Sequence, residues 1–94
     1  MSFGLKDIEA VLQNRLAEPV EGSYSLTLLN DVELAQRKIM EEAFELCLEL
    51  GRDTIDRRRT ASEAADLLFH ALAGLVGAGV PFRAVLDELA ERRR

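Results

Sequence analysis

The sequence predicts an all-α protein, an antiparallel bundle of about five helices joined by short loops. Three observations predict it. Apolar residues recur at steps of three and four along most of the chain. They make up 48% of the residues, against 5% aromatic and no Trp, a composition suited to helices packed through Leu, Ala and Val. Only two Pro interrupt the 94 residues, a length that supplies one core and one domain, residues 1–94.

Leu5, Ile8, Leu12 and Leu16 predict a first amphipathic helix over residues 3–17, broken by Glu18-Pro19-Val20-Glu21-Gly22. Ser23 caps a short second helix, residues 24–29. Asn30-Asp31 marks a turn, with Asp31 the N-cap of a third helix that runs from Val32 to Leu50 and stops at Gly51. At 100° per residue, Ile39, Met40, Ala43, Phe44, Leu46, Cys47 and Leu50 fill one broad apolar arc, which places Cys47 in the core. Lys38, Glu42, Glu45 and Glu49 form a stripe about 60° wide beside that arc, and Glu49 reads as surface. After the polar segment 52–59, Thr60-Ala61-Ser62-Glu63 matches a capping box and opens a fourth helix over residues 61–78. Gly79 ends that helix, and Pro81 suits the first turn of a fifth, whose apolar face is Val85, Leu86 and Leu89. The closing Arg92-Arg93-Arg94 reads as a solvated helix end, where cations suit the macrodipole.

Charge and hydropathy exclude some functions. A net charge of −5 argues against a general nucleic-acid binder. The longest charge-free stretch, 67–82, contains His70, Pro81 and three glycines, too short and interrupted to span a bilayer. The N-terminus does not read as a basic-then-apolar leader. Cys47 has no second cysteine to pair with, which fits a reducing compartment, so a cytoplasmic protein is expected.

Two acidic pairs carry the chemistry. Glu42 and Glu45 are three apart on the third helix, and Glu63 and Asp66 are three apart on the fourth, so each pair shares a face. Packed together, these helices would gather four carboxylates without a balancing charge. Like-charged neighbours weaken a helix by roughly 0.2–0.5 kcal/mol per pair, so the clustering needs a reason. An oxygen-only ligand set suits a hard cation such as Mg²⁺. From Ala64 to Val76 only Asp66 and His70 are polar, which marks the fourth helix as buried nearly all round. An ionised Asp there is costly unless it is paired or holds metal. Four neighbours cannot cover so apolar a helix in a thin bundle, so a two-fold homodimer is expected to complete it.

The residues also resemble a known family. Ser23-Tyr24-Ser25 with Leu28-Leu29, Arg37-Lys38-Ile39-Met40-Glu41-Glu42-Ala43-Phe44-Glu45, Glu63-Ala64-Ala65-Asp66-Leu67-Leu68-Phe69-His70 and the segment from Gly79 to Leu89 look like phosphoribosyl-ATP pyrophosphohydrolase, a histidine-biosynthesis enzyme of the MazG-like all-α group. The likeness covers the chain from Ser23 onward, and its specificity lies in the order and spacing of the motifs. It implies a nucleotide substrate, phosphoribosyl-ATP, cleaved at its α–β phosphoanhydride to phosphoribosyl-AMP and pyrophosphate. It further implies that Glu42, Glu45, Glu63 and Asp66 bind Mg²⁺, and that Glu41 and Lys38 serve catalysis. Lys38, Tyr24, Ser25 and His70 would then meet substrate. Four positions depart from the pattern: Met40 stands where the family often has glycine, Ser62 where it often has an acid, Phe69 where it often has tyrosine, and Ala78 where it often has arginine.

Plainer readings stand beside these. Lys38 is equally an i,i+4 partner of Glu42, His70 a packed histidine, and Tyr24 a cover over the end of the bundle. Other functions open to the same residues are a MazG-like hydrolase acting on another nucleoside triphosphate and a non-catalytic helical dimerisation module. A packing module has no use for an unpaired Asp66.

Overall fold

The computed structural model describes residues 2–93, and among these every regular element is an α-helix. Helices α1 (Leu5–Ala17), α2 (Tyr24–Asn30), α3 (Val32–Leu50), α4 (Arg57–Gly77) and α5 (Phe82–Glu91) follow in order. Arg94, part of the basic tail read above, lies outside the described residues. No single helix among them is long and apolar enough to cross a membrane.

Local chemistry explains most of the boundaries. The Ser23 hydroxyl accepts from the Leu26 amide at 3.3 Å, and the Asp31 carboxylate from the Leu34 amide at 3.1 Å, each occupying an orphan donor of a first turn. α3 has the expected bounds. α1 starts at Leu5 rather than residue 3, because the Asp7 carboxylate reaches back to the Gly4 amide at 2.7 Å and fixes the first turn there. α4 departs further from expectation. Its N-cap is Asp56, whose carboxylate accepts from the Arg59 amide at 3.0 Å, so residues 57–60 are already helical. The expected capping box at Thr60 does not form, since the Thr60 hydroxyl instead donates to the Asp56 carbonyl at 2.8 Å. α4 ends at Gly79, which takes φ +76°, with the Gly79 amide bonded to the Val76 carbonyl at 3.0 Å and the Val80 amide to the Leu75 carbonyl at 2.9 Å. Those two bonds are a Schellman closure, which favours glycine at this left-handed position. α5 leaves α4 at 109°. Pro81 offers its first turn no side-chain cap; Glu9 of α1 supplies one, accepting from the Phe82 amide at 2.7 Å.

The core lies where α1, α2 and α4 meet: Leu12, Leu28, Leu29, Leu72, Ala73 and Val76, flanked by Leu5, Ile8, Leu34, Phe69 and Phe82. α2 and α4 approach closely at Gly77, where an added Cβ would sit 2.9 Å from the Leu29 carbonyl oxygen. Gly77→Ala is therefore expected to destabilise the protein by about 1–3 kcal/mol through overpacking, which outweighs a helix-propensity gain of at most about 1 kcal/mol. Urea melts of the two proteins measure it; an unchanged or higher midpoint would show that α2 moves aside freely.

α3 lies antiparallel along α4 and turns its glutamate stripe toward it, together with the Ile39 edge of the apolar arc, which meets Gly74. Ala35, Glu42 and Glu49 are its buried residues. Met40 (72% exposed), Phe44 (65%) and Leu50 (58%) face outward, and so does Cys47, contrary to the core position expected for it. α4 also keeps Leu68 at the surface, and Asp66 is exposed rather than enclosed by apolar neighbours. An open apolar cavity of about 370 Å³ lies between the two helices, lined by Val32, Ala35, Ile39, Ala71, Gly74 and Leu75. The chain's accessible surface is 7184 Å², where a compact monomer of its mass would show about 5,400 Å². Its radius of gyration, 14.6 Å, likewise exceeds the roughly 12.4 Å of a compact chain this long.

Candidate metal and substrate site

The α3–α4 pairing follows one register. Glu42 and Asp66, Glu45 and Glu63, and Glu49 and Arg59 stand at matching distances from the turn between the helices, on successive rungs. Carboxylate oxygens of Glu42, Glu45 and Glu63 lie within 4.8 Å of one another. Asp66 falls outside that set of distances. Its charge nonetheless reaches Glu42, and its backbone carbonyl is engaged elsewhere in the site.

The electrostatics express the crowding. Glu42 is buried, which pushes its carboxyl pKa up, and the charges of Glu45 and Asp66 push it further. Glu45 is raised too, first through a hydrogen bond shared with Glu63, then by desolvation and the Glu63 charge. Two buried carboxylate oxygens, Glu42 Oε2 and Glu63 Oε2, have no hydrogen-bond partner. Buried acceptors without donors are rare because each forfeits the energy of a lost hydrogen bond. A hard cation satisfies all of these groups at once, so the donor set fits one.

A sign follows for the metal-free protein. Carboxyls whose pKa is raised on folding bind more protons in the native state, so stability is fully present below the unfolded value near 4.5 and is lost as pH rises through the raised folded values. With a chelator present, the melting temperature is expected to rise as pH is lowered from neutrality toward the unfolded value near 4.5. Saturating Mg²⁺ should flatten this dependence. Calorimetry across that range checks it; a chelated protein that loses stability over the same interval contradicts the shifts.

Lys38 lies one turn before the acids. Its ammonium contacts Glu41 at 3.2 Å and Glu42 at 3.6 Å, and the hydrogen bond to Glu41 is the main cause of its raised pKa. Glu41 itself is exposed and points beside the triad rather than into it. His70 is buried and fixed at both nitrogens: Nδ1 is 2.7 Å from the Asp66 carbonyl and Nε2 is 2.9 Å from the Tyr24 hydroxyl. A carbonyl only accepts, so Nδ1 carries a proton, and in the neutral ring Nε2 accepts from Tyr24. Phe69 meets the His70 ring edge-on at 5.3 Å and Tyr24 meets it at 5.9 Å. Tyr24 is half exposed, with its hydroxyl bonded to buried His70, and half-buried Ser25 follows it on α2.

Glu49 differs most from its sequence reading. It is 4% exposed. Arg52 Nε and Nη2 donate to its two oxygens at 3.0 and 3.3 Å, and Arg59 Nη2 adds a third bond at 3.2 Å. Arg52 is three residues along and visible in the sequence as a partner; Arg59, on the next helix, shows as one only once the α3–α4 register is known.

Such an arrangement, an all-α bundle gathering carboxylates from two helices beside a lysine, defines a helical protein with an acidic centre whose donor set fits a hard cation. Comparison with known proteins makes that class specific. The family model described as phosphoribosyl-ATP pyrophosphohydrolase matches residues 5–93, and the chain belongs to that family. It is similar to the phosphoribosyl-ATP pyrophosphatase of Methanosphaerula palustris, 46% identical over 87 residues that cover 89% of this chain and 86% of the relative. The protein of that name in Methanoculleus marisnigri is 40% identical over 93 residues, covering 96% and 94%. A histidine biosynthesis trifunctional protein of Kluyveromyces lactis is 43% identical over 77 residues, 82% of this chain but 9% of that protein.

Proposed function

We propose that this chain is a single pyrophosphohydrolase domain that hydrolyses phosphoribosyl-ATP to phosphoribosyl-AMP and pyrophosphate in histidine biosynthesis, as a Mg²⁺-dependent cytoplasmic homodimer. The observation that carries the reading is the triad of Glu42, Glu45 and Glu63, with two buried oxygens unpartnered, in a chain of this family. These three, with Asp66 on the adjoining rung, would hold Mg²⁺. When bound, the cation supplies charge neutralisation at the phosphate oxygens and a more acidic water.

The chain's own residues do the rest. Lys38 is held between Glu41 and Glu42. When the triphosphate enters, its ammonium transfers to the departing diphosphate, and Glu41 is released to accept a proton from the attacking water. Tyr24 donates its hydroxyl hydrogen bond to His70 and so leaves its oxygen as an acceptor for a substrate hydroxyl. Ser25, the next residue on α2, adds a second hydroxyl near the start of that helix. The acidic cluster and the anionic substrate repel each other unless a cation lies between them, which makes turnover metal-dependent. Outward-facing Met40, Phe44 and Leu68 and the apolar α3–α4 cavity support a second copy as their cover.

Pyrophosphate release from phosphoribosyl-ATP, measured against ATP, GTP, CTP and UTP with and without chelator, tests the reading. The expected result is turnover of phosphoribosyl-ATP alone, abolished by chelation and restored by Mg²⁺. Preference for an ordinary triphosphate would move the chain to another substrate within the same fold.

A further inference from the structure

Glu49 takes no part in the chemistry above, yet it is the most deeply buried carboxylate on α3 that has its charge paired. Its place is informative. Glu49 lies four residues after Glu45, and Arg59 four residues before Glu63, so each helix advances about 6 Å between the two rungs. The Glu49–Arg59 contact is the next rung of the α3–α4 ladder beyond Glu45–Glu63. One rung pulls the helices together and its neighbour pushes them apart. Arg52 holds the Glu49 carboxylate through two bonds, which orient it toward Arg59.

We propose that Glu49 is a positioning residue for the pyrophosphohydrolase reaction, fixing through Arg59 the α3–α4 register at which Glu45 and Glu63 meet. This rests on reading the triad as the cation site. The attractive rung anchors the helices one turn from the place where like charges would spread them, so the carboxylates are held at ligand spacing before a cation arrives. Removing the anchor lets α4's first turns move away from α3, and the distance between Glu45 and Glu63 grows first, because theirs is the adjoining rung. The metal-free site then has to be reassembled at each binding event.

The test uses the full chain at a temperature well below the melting point of every variant. Mn²⁺ binding in the absence of nucleotide is read from the electron paramagnetic resonance of free Mn²⁺, and kcat and KM are measured with phosphoribosyl-ATP. Arg59 is 62% exposed, so Arg59→Gln leaves packing intact and carries the test even where Glu49→Gln folds poorly. Arg59→Gln and Glu49→Gln are each expected to weaken Mn²⁺ binding about tenfold, the size of effect seen when groups that orient metal ligands are lost. At subsaturating Mg²⁺ kcat should fall in parallel, excess Mg²⁺ should recover most of it, and KM should stay within about twofold of the parent. Arg59→Lys, which keeps the charge, should restore part of the affinity. An ion pair that only stabilises the fold lowers the melting temperature and leaves Mn²⁺ affinity and kcat at parental values; that result in Arg59→Gln overturns the proposal. A parent that binds no Mn²⁺ overturns instead the cation-site reading beneath it.

Discussion

Glu45→Gln is expected to lower pyrophosphate release more than about 100-fold, beyond the loss seen when only a ligand's supporting partner is removed, and to raise the melting temperature of the metal-free protein. The two signs have one cause. Glu45 is the member of the triad coupled to both others: it shares a hydrogen bond with Glu63, and its charge raises Glu42. The amide keeps the size of the side chain, removes one of the like charges that oppose folding without metal, and can donate to a Glu63 oxygen that otherwise has no partner. On the proposed reading of the triad as a Mg²⁺ site, the same change removes an anionic ligand and weakens Mg²⁺ binding, and with it the neutralisation of the diphosphate. Thermal melts in chelator and a pyrophosphate-release assay at saturating Mg²⁺ read both effects. Parental turnover would remove Glu45 from the site, and a lowered metal-free melting temperature would mean that the triad is not held under repulsion. Asp66→Asn, on the adjoining rung, is expected to raise the Mg²⁺ concentration needed for half-maximal rate, because Asp66 stands outside the tightest group of oxygens.

Much of the fold was legible because its signals are local. Asp31 and Gly51 bracket α3 by capping chemistry that acts within a few residues, and the spacing of the acids put Glu42 with Glu45 and Glu63 with Asp66 on common faces. What failed were one local signal and several inferences about neighbours. Three consecutive arginines made 57–59 read as a polar linker, yet Arg is a good helix former and Asp56 caps the turn they begin. Cys47, Met40 and Phe44 lie on an apolar arc, but periodicity says only that a face is apolar, not which surface it meets; within one chain α3 presents its glutamates to α4 instead. Glu49 was read as surface because its deciding partner, Arg59, is brought in by tertiary pairing. The registry of Glu49 with Arg59 could have been found by extending the Glu45–Glu63 pairing one turn toward the loop.

The outward arc of α3 leads to the second large effect: Phe44→Asp is expected to convert the proposed dimer, twice 10.5 kDa by light scattering at micromolar concentration, to a monomer with a markedly lower melting temperature. Phe44 is 65% exposed in the single chain, so the substitution breaks no intrachain packing of consequence. Beneath a second copy, however, it buries an unpaired carboxylate, a change that costs several kcal/mol. Surface area gives the scale. The chain exposes 7184 Å², about 1,800 Å² more than a compact monomer of its mass. Two chains each covering that surplus would bury roughly 3,600 Å² in total, within the range of obligate homodimers. Because such an interface contributes to the stability of each copy, the parent's melting temperature should rise with protein concentration, whereas that of Phe44→Asp should not. A parent that scatters as a 10.5 kDa particle at micromolar concentration excludes the dimer. A Phe44→Asp variant that stays dimeric places the interface on another face, and the surplus apolar surface of α3 would then require a different cover.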